Sequence, residues 1–249
     1  MIFACTATAF ADDVDEKRIP LLTEPLTIQT LDVTPGEAVS LEPQSEAKKM
    51  LLPGESPVNI DHSKLEKYSD VDISAWYADG LAWCAANGIL SGKSDTKMAP
   101  LDKITRGEIV TMLWRIEGKP VVNYFMQYSD VNGSEYCGEA VRWAAAEKVV
   151  SGYADGTFKP AKTITREELV QIIYNYAKLK GNGFTGSWMF MLNYQDASEV
   201  GAWANEAMHW CVMKKIIAGS EGKLLPKSPA SRAEAAAVFM RLNPEIAAQ

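Results

Sequence analysis

The hydrophobic and polar positions of this chain follow a helical period in three separate places. In the first, the apolar residues Ile109, Met112 and Leu113 recur at the three- and four-residue spacing that puts them on one face of an α-helix. The other two runs are Leu169, Ile172 and Ile173, and Ala235, Val238 and Phe239. Each run starts with Ser or Thr followed three residues later by Glu, which is the pattern of a capping box. We therefore predict three amphipathic helices with well-defined starts.

Each of these helices ends a longer stretch that is repeated along the chain. The stretch opens on a tyrosine and reaches an arginine 38 residues later, from Tyr68 to Arg106, from Tyr128 to Arg166 and from Tyr194 to Arg232. A shorter helix is predicted near the start of each copy, and a turn-rich loop joins it to the capped helix. Because two short helices cannot bury their apolar faces alone, we expect the three copies to fold into one body.

The first 66 residues differ in character from the repeats. Residues 1–11 are short and apolar and end on Ala9-Phe10-Ala11, the small-x-small pattern of a secretory cleavage site, so we interpret them as the remnant of a signal peptide. Residues 12–66 contain six prolines and carry a net charge of −7 from 12 acidic and 5 basic residues. We expect this segment to be an extended acidic linker that tethers the repeats.

Charge and residue spacing argue against several functions. Residues 67–249 hold 20 acidic and 20 basic residues, so a general electrostatic attraction to nucleic acid is not expected. The four cysteines form no Cys-x-x-Cys pair, and the sequence contains no metal-ligand cluster and no phosphate-binding glycine loop, so we predict no metal and no cofactor. Neither His62 nor His209 has a partner set suited to catalysis. No apolar run is long enough to span a membrane.

An arginine follows each helix cap, at Arg106, Arg166 and Arg232. A cation in the first turn is locally unfavourable, because the helix N-terminus carries partial positive charge, so three occurrences indicate a purpose. Two interpretations are open. The arginines could hold the preceding loop, or they could join the free helix N–H groups in binding a carboxylate or phosphate. On the second interpretation we expect the fold to survive Arg166→Ala, because the capping box is untouched.

These features together resemble the S-layer homology (SLH) domain, a surface-anchoring module of bacterial cell envelopes. The shared pattern is an aromatic-x-Asp opening, an aromatic pair, a Gly-x-x-Asp-Gly-x-Phe-x-Pro loop and an Ile-Thr-Arg-x-Glu helix start. The second copy matches best, from Gly152 through Pro160 to Glu168. The first copy lacks the Asp-Gly of the loop and the third has a loop shortened by one residue, so we expect three unequal grooves.

The resemblance implies both fold and function. It implies an all-α protein in which three tandem helix-loop-helix repeats, residues 67–123, 124–186 and 187–249, form a pseudo-threefold helical bundle. It implies a secreted, non-enzymatic protein that is anchored non-covalently at the bacterial surface. The implied partner is an anionic, often pyruvylated, secondary cell-wall polysaccharide bound in grooves between the repeats. On this basis we assign glycan binding to Arg106, Arg166, Arg232, Asp70, Asp130, Asp196, Trp76, Trp203, Gly92, Gly152 and Gly219.

Some of these assignments have a second interpretation. The three opening aspartates could cap a turn instead of bonding to sugar hydroxyls, and Trp76 and Trp203 could pack in a core instead of stacking on a sugar. Two other functions also stay open. The bundle could be a structural or protein-interaction module of the envelope that binds no glycan. It could also be a glycan hydrolase, although no carboxylate pair recurs in a suggestive context.

Overall fold

A computed structural model describes residues 60–185 and 190–247 of the chain. Within these residues it contains six α-helices, two from each repeat, and no β-strand, so the all-α prediction is confirmed. The helices are α1 Ala78–Ala86, α2 Arg106–Ile116, α3 Gly138–Ala146, α4 Arg166–Leu179, α5 Asn205–Met213 and α6 Arg232–Ala247. None of these helices has both the length and the apolar character needed to cross a membrane.

Several predictions fall outside this part of the chain. The signal-peptide remnant, residues 1–11, and most of the acidic linker, residues 12–59, lie outside the described residues. The end of the linker is described and belongs to the folded body, because residues 63–65 form a 3-10 helix in which Leu65 is buried. In addition, His62 Nε2 lies 3.0 Å from Asp79 Oδ1 in α1. The body therefore begins before residue 67, and the boundaries between the repeats stay predictions.

The second helix of each repeat begins where its capping box predicts. Thr105 Oγ1 accepts the N–H of Glu108 at 3.2 Å, and Glu108 Oε2 accepts the N–H of Thr105 at 2.9 Å. The same reciprocal bonds join Thr165 to Glu168 and Ser231 to Glu234. Each cap satisfies a backbone donor that the first helical turn would leave free, so the arginine after it is the first helical residue.

The principal helix pairs join different repeats. α2 packs on α3, α4 packs on α5, and α6 packs on α1, so the last helix closes on the first. This last pair is very close, since a Cβ atom at Gly80 of α1 would lie 2.8 Å from the backbone nitrogen of Ala237 in α6. The apolar face of each helix is therefore buried by a neighbouring repeat, and the three repeats form one cyclic, pseudo-threefold body.

Three short segments meet at the centre of this body. The N–H of Ile104 donates to the carbonyl of Ala230 at 3.0 Å, the N–H of Ala230 to Ile164 at 2.9 Å, and the N–H of Ile164 to Ile104 at 3.1 Å. The three side chains are fully buried. Each of these hydrogen bonds joins a different pair of repeats, so two repeats alone cannot complete the ring.

Candidate functional site

All three motif arginines are buried, and two of them contact another repeat by three bonds each, two to carbonyls of its loop and one to its capping-box glutamate. Arg166 donates from Nε to the carbonyl of Leu224 at 2.7 Å and from Nη2 to Ala218 at 2.9 Å, and its Nη1 lies 2.6 Å from Glu234 Oε1. Arg232 makes the corresponding bonds in the first repeat, to Met98, Ser91 and Glu108. Each of these guanidinium groups is therefore neutralised by a carboxylate and uses three of its five N–H donors within the protein.

Arg106 departs from this arrangement. It donates from Nε to Phe158 at 3.0 Å and from Nη2 to Ser151 at 3.1 Å, but its Nη1 has no hydrogen-bond partner among the described residues. The corresponding capping-box glutamate of the second repeat, Glu168, is paired with a lysine instead, since Lys162 Nζ lies 2.7 Å from Glu168 Oε1. Among the three motif arginines, Arg106 alone has no carboxylate partner within the described residues.

The backbone N–H groups beside these arginines are also occupied. The N–H of Arg106 donates to the carbonyl of Lys162 at 3.0 Å, and that of Gly107 donates to Pro160 at 2.9 Å. At the start of α4, the corresponding N–H groups donate to the carbonyls of Ser228 and Pro226. At the start of α6, they donate to those of Asp102 and Pro100. The expectation that free helix N–H groups bind an anion is therefore wrong, because the next repeat and the capping box already satisfy them.

The opening aspartates hold the loop of their own repeat. The two carboxylate oxygens of Asp70 accept the N–H groups of Met98 and Ala99, each at 2.9 Å. Ala99 has φ of 55°, a left-handed conformation that is unfavourable for a residue with a side chain, so the carboxylate stabilises a strained turn. Asp130 accepts the N–H groups of Phe158 and Lys159 in the same way. Asp196 accepts those of Leu224 and Leu225.

The loop glycines lie against the tyrosine that opens the same repeat. A Cβ atom at Gly152 would lie 2.3 Å from Cε1 of Tyr128 and 2.8 Å from the carbonyl oxygen of Thr157. The closest distance is 2.4 Å for the other two pairs, Gly92 with Tyr68 and Gly219 with Tyr194. The close contact between ring and loop therefore needs glycine at these positions.

Two open grooves are each bounded by all three repeats. Groove 1, of about 680 Å³, is lined by residues 91–93 and α2 of the first repeat, by Tyr136 of the second and by Arg232 of the third. Groove 3, of about 400 Å³, is lined by residues 218–220 and α6 of the third repeat, by Arg166 of the second and by Trp76 of the first. Tyr136 is 63% exposed and Trp76 is 64% exposed, so each groove has an accessible aromatic ring at its edge.

A second arginine lines each open groove, and the sequence analysis missed it. Arg115 lies in groove 1 and Arg241 in groove 3, each nine residues after the motif arginine of its own repeat. Arg115 Nη1 donates to the carbonyl of Ile89 at 3.0 Å, and Arg241 Nη1 to that of Ile216 at 3.5 Å. Neither forms a salt bridge within the described residues, and burial lowers the pKa of both. Their recurrence at one repeat position was the available sequence signal.

The second repeat differs at the equivalent positions. Asn175 stands in place of the second arginine, and its Nδ2 donates to the carbonyl of Val149 at 3.1 Å. In the same repeat, Lys162 Nζ lies 3.0 Å from the hydroxyl of Tyr153 and 2.7 Å from Glu168 Oε1. The three repeats therefore present different chemistry at the same place in the fold.

Comparison with known proteins agrees with this architecture. The family "S-layer homology domain" matches residues 67–110, 127–170 and 193–236, which together are more than half of the chain. The chain belongs to the S-layer homology family. The SLH prediction is thus confirmed at three tandem positions.

Several relatives carry similar SLH sequences. The surface-layer 125 kDa protein of Lysinibacillus sphaericus is 27% identical over 176 residues, which are 68% of this chain and 14% of that protein. The exoglucanase XynX of Acetivibrio thermocellus is 26% identical over 169 residues, covering 67% of this chain and 15% of the enzyme. The cellulosome-anchoring protein of the same species is 26% identical over 157 residues, covering 61% of this chain and 34% of that protein. The chain thus matches a minor part of each relative.

The predicted site residues take different places in the SLH body. Gly92 and Arg232 line groove 1, and Trp76, Arg166 and Gly219 line groove 3. The three aspartates line neither groove, and their carboxylates bond to the loop backbone instead. Trp203 is 55% exposed on a 3-10 helix and also lines neither of these two grooves.

Proposed function

We propose that this chain anchors a surface protein non-covalently to the bacterial cell wall, by binding an anionic secondary cell-wall polysaccharide in its inter-repeat grooves. The observation that carries the proposal is the composition of grooves 1 and 3. Each combines an exposed aromatic ring with guanidinium groups in an open channel. An aromatic ring offers apolar contact area for a sugar face, and a planar guanidinium matches a carboxylate bidentately.

The relatives support an anchoring role. Two of them are named as a surface-layer protein and a cellulosome-anchoring protein. The exoglucanase is matched over only 15% of its length, which fits a module used for attachment by proteins of different activity. The role proposed for the chain is therefore non-enzymatic, with a location at the cell wall or surface layer.

The predicted residues contribute to this function in two ways. Trp76, its counterpart Trp203 and the groove residue Tyr136 are exposed, and they are the proposed sugar contacts. The aspartates, the loop glycines and the carboxylate-paired arginines Arg166 and Arg232 shape the loops that form the grooves, so their proposed effect on binding is indirect. Arg106 lines neither groove 1 nor groove 3 and holds the loop of the second repeat, so its proposed effect on binding is also indirect. A pyruvate ketal on the polymer would supply the carboxylate.

Sedimentation with purified cell walls tests the proposal. The protein is expected to pellet with native walls and to stay in the supernatant with walls whose pyruvate has been removed chemically. The double variant Trp76→Ala with Tyr136→Ala removes the two exposed rings at the groove edges and should pellet less than the wild type. No pelleting with native walls would contradict the anchoring function.

A protein-interaction module is the second candidate. It is favoured by apolar side chains on the connectors between repeats, where Val121, Phe125 and Met191 are each more than 80% exposed. Exposed apolar side chains on these connectors could contact an apolar surface of a partner protein. Pelleting that persists with envelopes stripped of polysaccharide but not of protein would favour this candidate.

A further inference from the structure

The arginines that line the two open grooves fall into two classes, and Lys93, the lysine that lines groove 1, is paired with Asp102. Arg166 and Arg232 are each neutralised by a carboxylate and bonded to two carbonyls, so they have little capacity left for a ligand. Arg115 and Arg241 each make one hydrogen bond, to a carbonyl, and pair with no carboxylate within the described residues. The donors that remain available to an anion therefore belong to the second class.

An unneutralised guanidinium in a partly buried position is energetically unfavourable. Burial removes part of its hydration, and this cost is normally offset by a carboxylate or by several hydrogen bonds. Burial lowers the pKa of both Arg115 and Arg241, because it removes part of the water around each guanidinium. An arginine retains its charge even so, and a bound carboxylate would supply the missing partner.

The second repeat shows that the fold does not need a charge at this position. Asn175 donates to the carbonyl of Val149, just as Arg115 donates to Ile89 in the first repeat. The neutral amide therefore makes the structural hydrogen bond as well as the guanidinium does. The charge in the first and third repeats serves another purpose than holding this carbonyl.

We infer that Arg115 and Arg241 bind the acidic group of the wall polymer, one in groove 1 and the other in groove 3, and that the second repeat lacks this contact. The inference rests on the proposed function and assigns its charge recognition to two residues outside the helix-cap motif. Both residues face the groove from the same helix as the capping-box glutamate, Glu108 or Glu234, whose carboxylate is already paired with a motif arginine.

Titration calorimetry with two soluble probes tests the inference. The probes are oligosaccharide released from native walls and the same oligosaccharide after its carboxyl groups have been reduced to alcohols. The variants are Arg115→Asn and Arg241→Asn, singly and together, because asparagine is the residue that the second repeat uses. Arg142→Asn removes the same charge from a residue outside both grooves and is the control.

Wild-type protein and the Arg142→Asn control are expected to prefer the acidic probe. Each single variant should weaken binding at one groove by roughly 10-fold or more, since a charge-assisted hydrogen bond is lost. The double variant should bind the acidic and reduced probes equally, with an unchanged circular dichroism spectrum. Should it fail to fold, Arg115→Gln with Arg241→Gln removes the same charges and keeps a longer donor.

The opposite results are distinguishable. A folded double variant that still prefers the acidic probe with wild-type affinity would overturn the inference and leave wall anchoring intact. Equal binding of both probes by the wild type would overturn it in the same way, without any variant. Failure of the wild type to bind either probe would overturn the proposed function and the inference together.

Discussion

Arg232 Nη1 lies 2.5 Å from Glu108 Oε1, although 124 residues separate the two in sequence. Arg232 is the first residue of the last helix, and Glu108 caps the second helix of the first repeat. The pair therefore joins the end of the repeat region to its beginning. It acts at the same contact as the backbone bond from Arg232 to Asp102, so the cyclic body is closed by both side chain and backbone.

Loss of the closing arginine should destabilise the fold. Arg232→Ala removes a side chain that is only 2% exposed, and it leaves Glu108 and two carbonyls without their donor. We expect the free energy of unfolding to fall by about 3–5 kcal/mol, measured by urea denaturation. Arg166→Ala should behave similarly. This differs from the sequence-based expectation that the fold survives Arg166→Ala, which considered only the capping box.

The control for this prediction is Arg142→Ala. Arg142 pairs with Glu139 one turn away in the same helix, and the two side chains are 26% and 33% exposed. A partly exposed pair of this kind contributes about 1 kcal/mol or less. An equal loss of stability in the Arg142 and Arg232 variants would argue against a special role for the closing contact.

Removal of the third repeat should abolish cooperative folding of the other two. A fragment of residues 60–181 lacks α6, which covers α1, and lacks Ala230, which completes the central ring. Its exposed apolar faces should cause association or a broad thermal transition, checked by analytical ultracentrifugation and calorimetry. Residues 60–249 form the matched control and should unfold in one sharp step. A monomeric two-repeat fragment with an equally sharp transition would contradict the cyclic dependence.

Protonation of the opening aspartates at acid pH should destabilise the loops that these carboxylates hold. Burial alone would raise the pKa of the Asp70 carboxyl, but the N–H groups of Met98 and Ala99 outweigh it and leave the pKa lowered. The pKa of Asp196 is lowered in the same way. Because the folded pKa lies below the unfolded value of about 3.9, this stabilisation is present above about pH 4 and is lost as the pH falls through the folded pKa.

The test is urea denaturation of Asp70→Asn at about pH 7 and about pH 3. The variant should be less stable than the wild type at neutral pH and should lose less stability on acidification, because its side chain does not titrate. Asp95→Asn changes an exposed residue of the same loop and should follow the wild-type curve. Identical acid-induced losses in Asp70→Asn and the wild type would show that this carboxylate is not responsible.

The close contact between loop and tyrosine makes Gly152 intolerant of substitution. In Gly152→Ala the new Cβ would overlap the ring of Tyr128 and approach a backbone carbonyl, so we expect a loss of about 1–3 kcal/mol in stability. Gly133→Ala is the control in the same repeat, since its Cβ would meet only the mobile end of Arg142 at 3.1 Å. Thermal unfolding compares them, and equal melting temperatures would contradict the prediction.

Trp76 should affect wall binding without affecting stability. Its side chain is 64% exposed at the edge of groove 3, so Trp76→Ala should change the free energy of unfolding by about 0.5 kcal/mol or less. Sedimentation with native walls should nevertheless fall. Phe125→Ala removes an aromatic ring that is 87% exposed on a connector, and it should leave sedimentation unchanged. If both variants pellet like the wild type, groove 3 does not use this ring.

Contacts between residues close in the chain account for the local structure of this protein. A capping box links residues only three positions apart, so Thr105 with Glu108 and Thr165 with Glu168 define where α2 and α4 begin without reference to the rest of the fold. The repeated pattern also identified the SLH family and the all-α class, because each copy carries a capped helix start 38 residues after its opening tyrosine.

Which groups remain available to a ligand depends instead on contacts between residues that are distant in the chain. In sequence, Arg166 is the first residue of its helix and Arg241 lies inside another, and neither position reveals whether the charge is paired. The fold brings Glu234 and two carbonyls to Arg166, from residues more than 50 positions away, and brings no carboxylate to Arg241 within the described residues. Whether a charge is paired therefore depends on contacts between residues that are distant in the chain, and these contacts form only when the three repeats pack together.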